Sequence, residues 1–387
     1  MFKANVGYSR NPDSYLSGQE TITNALKDIE NPRVALVISS EEQDQEKLIA
    51  GIKSIANIPV IGFTSSEGII TNDGIISEPD GQSAAIVFDD PDMRVGCSIV
   101  ERGENPREAG KKAAINAIKN SNCSLKPSYI CMIATPGDEE AYLKGVQDVV
   151  GRIPVFGGSA ADNEFEGKWK IFYENTVIND GCALMLIYNK KGINSVYEST
   201  FVETGKSGII TKVIDERTIA EIDNEPALKV YSDWTGYDIN IIKGISALDA
   251  SIEKPFGTKD PINSLTLIRQ PIFSQENNSI IMSNNVTPGT CINLMSASAN
   301  DFINSVDKTM DKLNEKARNE IGAYLFFHCG KRKYVIDERI GEVYDIMKAK
   351  SNGKPFIGAF TFGEYGFNDH SANSCGSLML SFVSIEK

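Results

Sequence analysis

Histidine is almost missing from this chain: only His328 and His370 occur, and they lack the paired spacing of a zinc site. Seven cysteines are scattered without a C-x-x-C pair, and their number is odd. That pattern excludes a disulfide framework and reads as reduced thiols packed as small hydrophobes. No apolar run approaches the roughly 18 residues a spanning helix needs. The opening MFKANVGYSRNPDSY has no apolar signal-peptide core. Positive charge is also in deficit, with 39 Lys and Arg against 52 Asp and Glu and a net charge of −13. That balance argues against binding nucleic acid or an anionic membrane through a general basic surface. A cytoplasmic protein with neither partner is expected.

Familiar chemical motifs are missing as well. There is no G-x-G-x-x-G after a strand and no G-x-S-x-G elbow. Gly205-Lys206-Ser207 has Thr200 where a phosphate loop needs glycine, and IITKVI after it reads as a strand rather than a helix. No cofactor is expected.

What the 387 residues do contain is repetition. NIPVIGFTSSEG (57–68), RIPVFGGSAADN (152–163) and KPFIGAFTFGE (354–364) each join a proline, two apolar residues, a glycine and a small-polar cluster. Each follows an apolar run and a stretch with helical spacing: RVALVIS then EEQDQEKLIAGIKSIA, SYICMIAT then DEEAYLKGVQDVV, AYLFFHC then DERIGEVYDIMKA. Each also precedes another strand: DGQSAAIVF, NDGCALMLIY, SCGSLMLSF. A βαβ core with further strands is therefore used three times. The gap between Pro154 and Pro355 is about twice that between Pro59 and Pro154, so other material separates the third unit.

That material includes strand-like INSLTLIRQPIF and NSIIMSN. It also includes a helical stripe from Asn300 to Ile321, with Ile303, Val306, Met310, Leu313 and Ala317 on one face. Asn105-Pro106 marks another helix start. The expected fold class is α/β, with repeated βαβ-plus-hairpin units forming mixed sheets in two related halves. Those halves are residues 1–205, with two units, and 206–387, with one unit plus strands and a long helix. The boundary is placed at Gly205-Lys206-Ser207-Gly208.

In parallel α/β sheets, binding groups collect beyond the carboxyl ends of strands. The first unit supplies Ser39, Ser40, Thr64, Ser65, Ser66, Glu67 and Gly68. The second supplies Thr135, Gly137, Gly158, Ser159 and Ala160, and the third Cys329, Gly330, Arg332, Gly363, Glu364 and Tyr365. His370 is placed at the same rim. Arg332 suits a carboxylate and Glu364 an ammonium group, which together would fit an amino acid. Equally, the two are structural charges paired with other protein groups. Cys329, next to Lys331 and Arg332, is a candidate nucleophile if those cations lower its pKa. His328, in LFFHC, reads as a satisfied core histidine.

The runs FHCGKR, PFIGAFTFGE and SCGSLMLSF resemble the C-terminal half of the FIST family (F-box and intracellular signal transduction proteins). So do IAEIDNEPALKVYSDW, read as a strand, and TLIRQPIFSQENNSIIMSNNVTPGTCINLMSASANDF. VALVISS, PVIGFTSSEG and PVFGGSAADN are similar to its N-terminal module. The resemblance implies a sensory module that binds a small ligand, with amino acids the leading suggestion, and signals to a separate output protein. It singles out Cys329, Arg332, Gly363-Glu364 and the Gly157-Gly158-Ser159 turn. The order Ser66-Glu67-Gly68 departs from the small-small-Gly-Glu expected there, so Glu67 is a weaker equivalent of Glu364. A Cys329-dependent enzyme and a protein-binding scaffold are the alternatives.

Overall fold

A computed structural model describes residues 2–260, 265–367 and 372–387. The first unit runs β1 (Lys3–Ser9), α1 (Ser14–Ala25), β2 (Val34–Ser39), α2 (Gln45–Ile55), β3 (Val60–Thr64), a hairpin of β4 (Ile69–Thr71) and β5 (Gly74–Ile76), then β6 (Ser83–Asp89). The second repeats that order as β7 (Arg94–Glu101), α3 (Pro106–Ser121), β8 (Tyr129–Ala134), α4 (Glu139–Val150), β9 (Val155–Ser159), β10 (Ile171–Tyr173), β11 (Thr176–Ile178) and β12 (Gly181–Tyr188). The helices begin where short polar side chains replace missing backbone partners. Asp13 accepts from the Leu16 N–H, Asp44 from Lys47, and Asn105 from Arg107 and Glu108 ahead of the Pro106 start.

The third unit starts with β13 (Ile193–Glu198) and is then interrupted. The insertion comprises β14 (Val202–Asp215), β15 (Thr218–Ile222), β16 (Glu225–Pro226), α5 (Ala227–Thr235), α6 (Ser246–Ala250), β17 (Phe256–Lys259), β18 (Thr266–Arg269), β19 (Pro271–Ser274), β20 (Ile280–Met282) and β21 (Cys291–Ser296). Its strands form a separate sheet ordered β18-β17-β21-β14-β15-β20-β19, with β16 on β15. The unit then resumes as α7 (Ala299–Lys316), β22 (Ile321–Cys329), α8 (Gly330–Ile336), α9 (Ile340–Lys350), β23 (Phe356–Thr361), β24 (Glu364–Gly366), β25 (Ser374–Gly376) and β26 (Leu380–Glu386).

The fold is thus α/β with repeated βαβ-plus-hairpin units and mixed sheets. Within each unit only the two strands flanking the βαβ helix are parallel: β2 with β3, β8 with β9, β22 with β23. The sheets run β1-β6-β2-β3-β10-β11, β7-β12-β8-β9-β24-β25 and β13-β26-β22-β23-β4-β5. Every unit therefore hands its hairpin to another: the first to the third, the second to the first, the third to the second. The exchange covers three strands that would otherwise be open edges.

The glycine of the repeated motif has its reason here. Gly62 lies opposite Phe172, Gly157 opposite Tyr365 and Gly358 opposite Ile70. A Cβ on Gly62 would fall 2.4 Å from the Phe172 ring. The sheets close around a core in which the Phe327 ring lies 6.0 Å from Phe63 and 6.2 Å from Phe156.

Several local expectations change. The Gly205–Gly208 stretch lies inside the 14-residue β14 rather than at a chain break. IAEIDNEPALKVYSDW splits into β15, a turn through the positive-φ pair Asp223-Asn224, and helix α5. The long helix stops at Lys316 because Ala317 is already extended, and Ile321 opens β22. Among the described residues no helix is long and apolar enough to cross a membrane.

Candidate functional site

The carboxyl ends of β3, β9 and β23 meet, and their backbones join around a ring. Ser66 N–H donates to Phe360 O at 3.0 Å, Ala161 N–H to Thr64 O at 2.9 Å, and Ser159 N–H to Gly363 O at 2.8 Å. Ser65 ties the first unit to the third: its Oγ accepts from Phe360 N–H at 2.8 Å and donates to Gly68 O at 2.6 Å. Ser66 packs against Gly330. Gly158 pairs with Glu364, and the Ser159 and Tyr365 hydroxyls lie 2.7 Å apart. These contacts bring together Thr64, Ser65, Ser66, Gly68, Gly158, Ser159, Gly330, Gly363, Glu364 and Tyr365. His370 lies outside the described residues.

They do not share one role. Glu67 is exposed, held at φ 52° by its N–H bond to Asn163 Oδ1, and its carboxylate meets Lys333 Nζ at 2.7 Å. It is a surface ion pair, not a second Glu364. Glu364 is fully buried. Its Oε1 accepts from Thr361 Oγ1 at 2.7 Å and its Oε2 from Met379 N–H at 2.9 Å. Burial pushes its carboxyl up to about 8, against the pull of those bonds, the Arg332 charge and the Cys329 thiol. Glu364 is thus largely protonated at neutral pH, with both of its oxygens accepting bonds from the protein.

Cys329 pairs with Thr361 and is 1% exposed. Burial, with Glu364 adding to it, pushes the thiol up to about 12. This reverses the lowered pKa expected from its sequence neighbours. Lys331 is turned toward Asp249 at 3.4 Å, and Arg332 is turned into α7.

Arg332 is the largest fully buried side chain among the described residues. One nitrogen, Nη2, donates to Phe302 O at 3.0 Å and to Ser305 Oγ, and the guanidinium sits 4.9 Å from the Phe302 ring. Nε and Nη1 have no partner among the described residues. Burial lowers its pKa to about 10, still charged at neutral pH. His328, also fully buried, uses Nδ1 against Cys329 O at 3.0 Å, but Nε2 has no partner, so it is a core histidine only half satisfied. Burial and the nearby Arg332 charge hold it well below its usual pKa, neutral.

A second polar group, unseen in the sequence, adjoins Ser159. Glu139, in the first turn of α4, accepts from Ser159 Oγ at 2.9 Å and from Gly137 N–H at 3.0 Å. Arg217, at the β14–β15 turn of the insertion, donates to Glu139 and Glu140 at 2.7 Å each. Asn285 N–H donates to Glu140 at 2.9 Å, and Arg269 Nη1 donates to Cys375 O at 3.0 Å. Burial raises the Glu140 pKa, but Arg217 and Arg269 outweigh it and hold the carboxylate below its usual range. The insertion is thus pinned to the second and third units beside the ring. The acidic start of α4 was a visible signal, but its partner lies 78 residues away.

Two surface clefts open away from the ring. One of about 920 Å³ runs between β13, α7 and the Tyr129–Pro154 edge, and one of about 480 Å³ lies by Tyr188. Among the described residues no group of three or more His, Cys, Asp or Glu has metal-site geometry.

Comparison with known proteins gives two family matches, the FIST N domain over residues 33–225 and the FIST C domain over residues 227–366. The uncharacterized protein MJ1623 of Methanocaldococcus jannaschii is 26% identical over 216 residues, 52% of this chain and 41% of that protein. The chain thus spans well under half the length of that relative. Cyanuric acid hydrolase from A. caulinodans aligns over the whole of both chains with a TM-score of 0.40 at 7% identity. A second cyanuric acid hydrolase structure aligns over the same extent at 0.35 and 9%.

Proposed function

The chain belongs to the FIST family, whose domains are sensory domains of signal transduction, and from that premise we propose that it binds a small carboxylate-bearing ligand, an amino acid or close relative, where its repeats converge. One observation carries the reading: the fully buried Arg332, with two nitrogens that no protein acceptor reaches. A buried cation without partners is costly. Glu364 and Glu198 favour the charge, but burial outweighs them. Both nitrogens are closed to solvent, so a carboxylate would reach Nε and Nη1 only once α8 shifts, and would then accept from the two in parallel. An ammonium group on the same ligand would favour ionised Glu364, so binding would release a proton.

A ligand shifts only those states it contacts differently. Held between α8 and the β24 hairpin, it would bias how the insertion docks through Glu139, Glu140 and Arg217, and so pass a signal to a separate output protein. The reading is non-enzymatic, and the Cys329 thiol, pushed up to about 12, supports that.

The test is a thermal-shift and calorimetric screen of amino acids, with matched simple amines and carboxylates as controls. An amino acid should raise the melting temperature in a concentration-dependent way, and Arg332→Met should abolish the shift. That variant removes a buried charge, so without ligand it should be as stable as the native chain or more so. A flat response to every amino acid overturns the reading. So does Arg332→Met that still binds normally.

A further inference from the structure

We propose that the cleft of about 480 Å³ at the amino end of β8 is a second ligand site, for a small organic anion carrying a short apolar group. It lies at the opposite end of the second unit from Ser159 and does not depend on the reading of Arg332. Its volume suits a small molecule.

Two buried side chains on its wall lack partners. Tyr188 is 4% exposed and Asn189 8%, yet the Tyr188 hydroxyl and Asn189 Nδ2 have no hydrogen-bond partner among the described residues. Most buried polar groups are satisfied, so two neighbouring donors closed off just behind one cavity wall point to a ligand that meets them once the wall side chains shift. The orientation of Asn189 is fixed, because its Oδ1 accepts the Lys191 N–H at 2.8 Å. The free atom is therefore the amide nitrogen, a donor that needs an acceptor. The Asn189 backbone is held as well, its carbonyl taking the Ser128 hydroxyl at 2.9 Å.

Charge agrees with the donors. Arg94, Lys126 and Lys190 line the cleft, and none has an ion-pair partner among the described residues. Asp92 is the acid on the wall, and it faces Lys191 at 3.8 Å. Buried Asp90, just behind, is held by Lys191 at 3.2 Å through Oδ1, while its Oδ2 has no hydrogen-bond partner among the described residues. A local cationic excess in a chain of net charge −13 favours an anion. Pro91 and the exposed Leu125 supply an apolar wall, which selects an anion with a hydrocarbon part over a bare inorganic one. The anionic group is a carboxylate or a phosphate monoester.

The experiment titrates the full chain with benzoate, phenyl phosphate and inorganic phosphate at constant ionic strength, by calorimetry. Alkylation of Cys123, on the cleft wall, is followed by mass spectrometry with exposed Cys291 as the reference. Saturable binding of benzoate or phenyl phosphate is expected, with Cys123 protected and Cys291 not, and which of the two binds names the anionic group. Tyr188→Phe, which sacrifices no protein bond, should weaken binding about tenfold. Asn189→Asp keeps the Lys191 bond but replaces the donor with a charge, and should abolish binding. Arg332→Met should leave it unchanged. No saturation by either aromatic anion, saturation by inorganic phosphate alone, or affinity unaltered in both cleft variants overturns the proposal.

Discussion

At the seam between the first and third units, Ile69 and Ile70 lie opposite Ala359 and Gly358. Between the second and first, Ile171 and Phe172 lie opposite Phe63 and Gly62. Between the third and second, the same backbone arrangement places Glu364 and Tyr365 opposite Gly158 and Gly157. Two seams are apolar, which is the cheaper way to hold sheets together. The third buries a carboxyl and a phenol, and the insertion docks beside it through Arg217. The repeat supplies the framework, and one seam has given up hydrophobic burial for polar chemistry.

The sharpest way to break that comparison is at an apolar seam. Phe172→Ala should cost about 3–5 kcal/mol in urea unfolding, since its ring is fully buried against Gly62. Arg217→Ala leaves Glu139 without its cation and Glu140 with Arg269 alone, and should cost about 3 kcal/mol. Hydrogen exchange should then rise in β14–β21 ahead of the three units. Rigid retention of the insertion would mean that the polar seam is not its anchor.

Glu364 gives the polar seam a pH signature. Its folded pKa, about 8, lies above the ordinary value of 4.5, so the native state holds the extra proton between those limits. Stability should therefore fall as pH rises through that window, by on the order of 2 kcal/mol between pH 6 and pH 8. Glu364→Gln should flatten the dependence when melting is followed across that range. The smallest effect is expected from Ser65→Ala, about 1 kcal/mol in urea unfolding for the hydroxyl that bridges Gly68 and Phe360.

The repetition was legible because Pro59, Pro154 and Pro355 each lead a strand with a glycine three residues on. The helix start at Asn105 was legible through its capping side chain and the proline after it. The rule of strand carboxyl ends collected residues that the structure joins, Ser65, Ser159 and Glu364 among them, because each βαβ unit places those ends on the same side. It could not say that the hairpins are exchanged, since Ile70 carries no mark naming Gly358 as its partner. Nor could it see that Lys331 reaches Asp249 while Arg332 is buried on Phe302 and Ser305, because a helix starting at Gly330 sends successive side chains in different directions. Gly205-Lys206-Ser207 marked the boundary because the second unit ends before it, whereas the strand runs on past Gly205 at φ 84° and pairs with β21 again from Ser207.

The circular exchange of hairpins also sets an order of events in time. Ser65 finds its partner Phe360 only after 295 further residues have been made. At ribosomal speeds that delay is on the order of tens of seconds. Throughout it, β4 and β5 are apolar strands with no sheet to join, and β9 is an open edge awaiting β24. A nascent chain halted after its second unit is therefore exposed to pairing with a neighbour on the same messenger. Completion of the third unit is what seals the first.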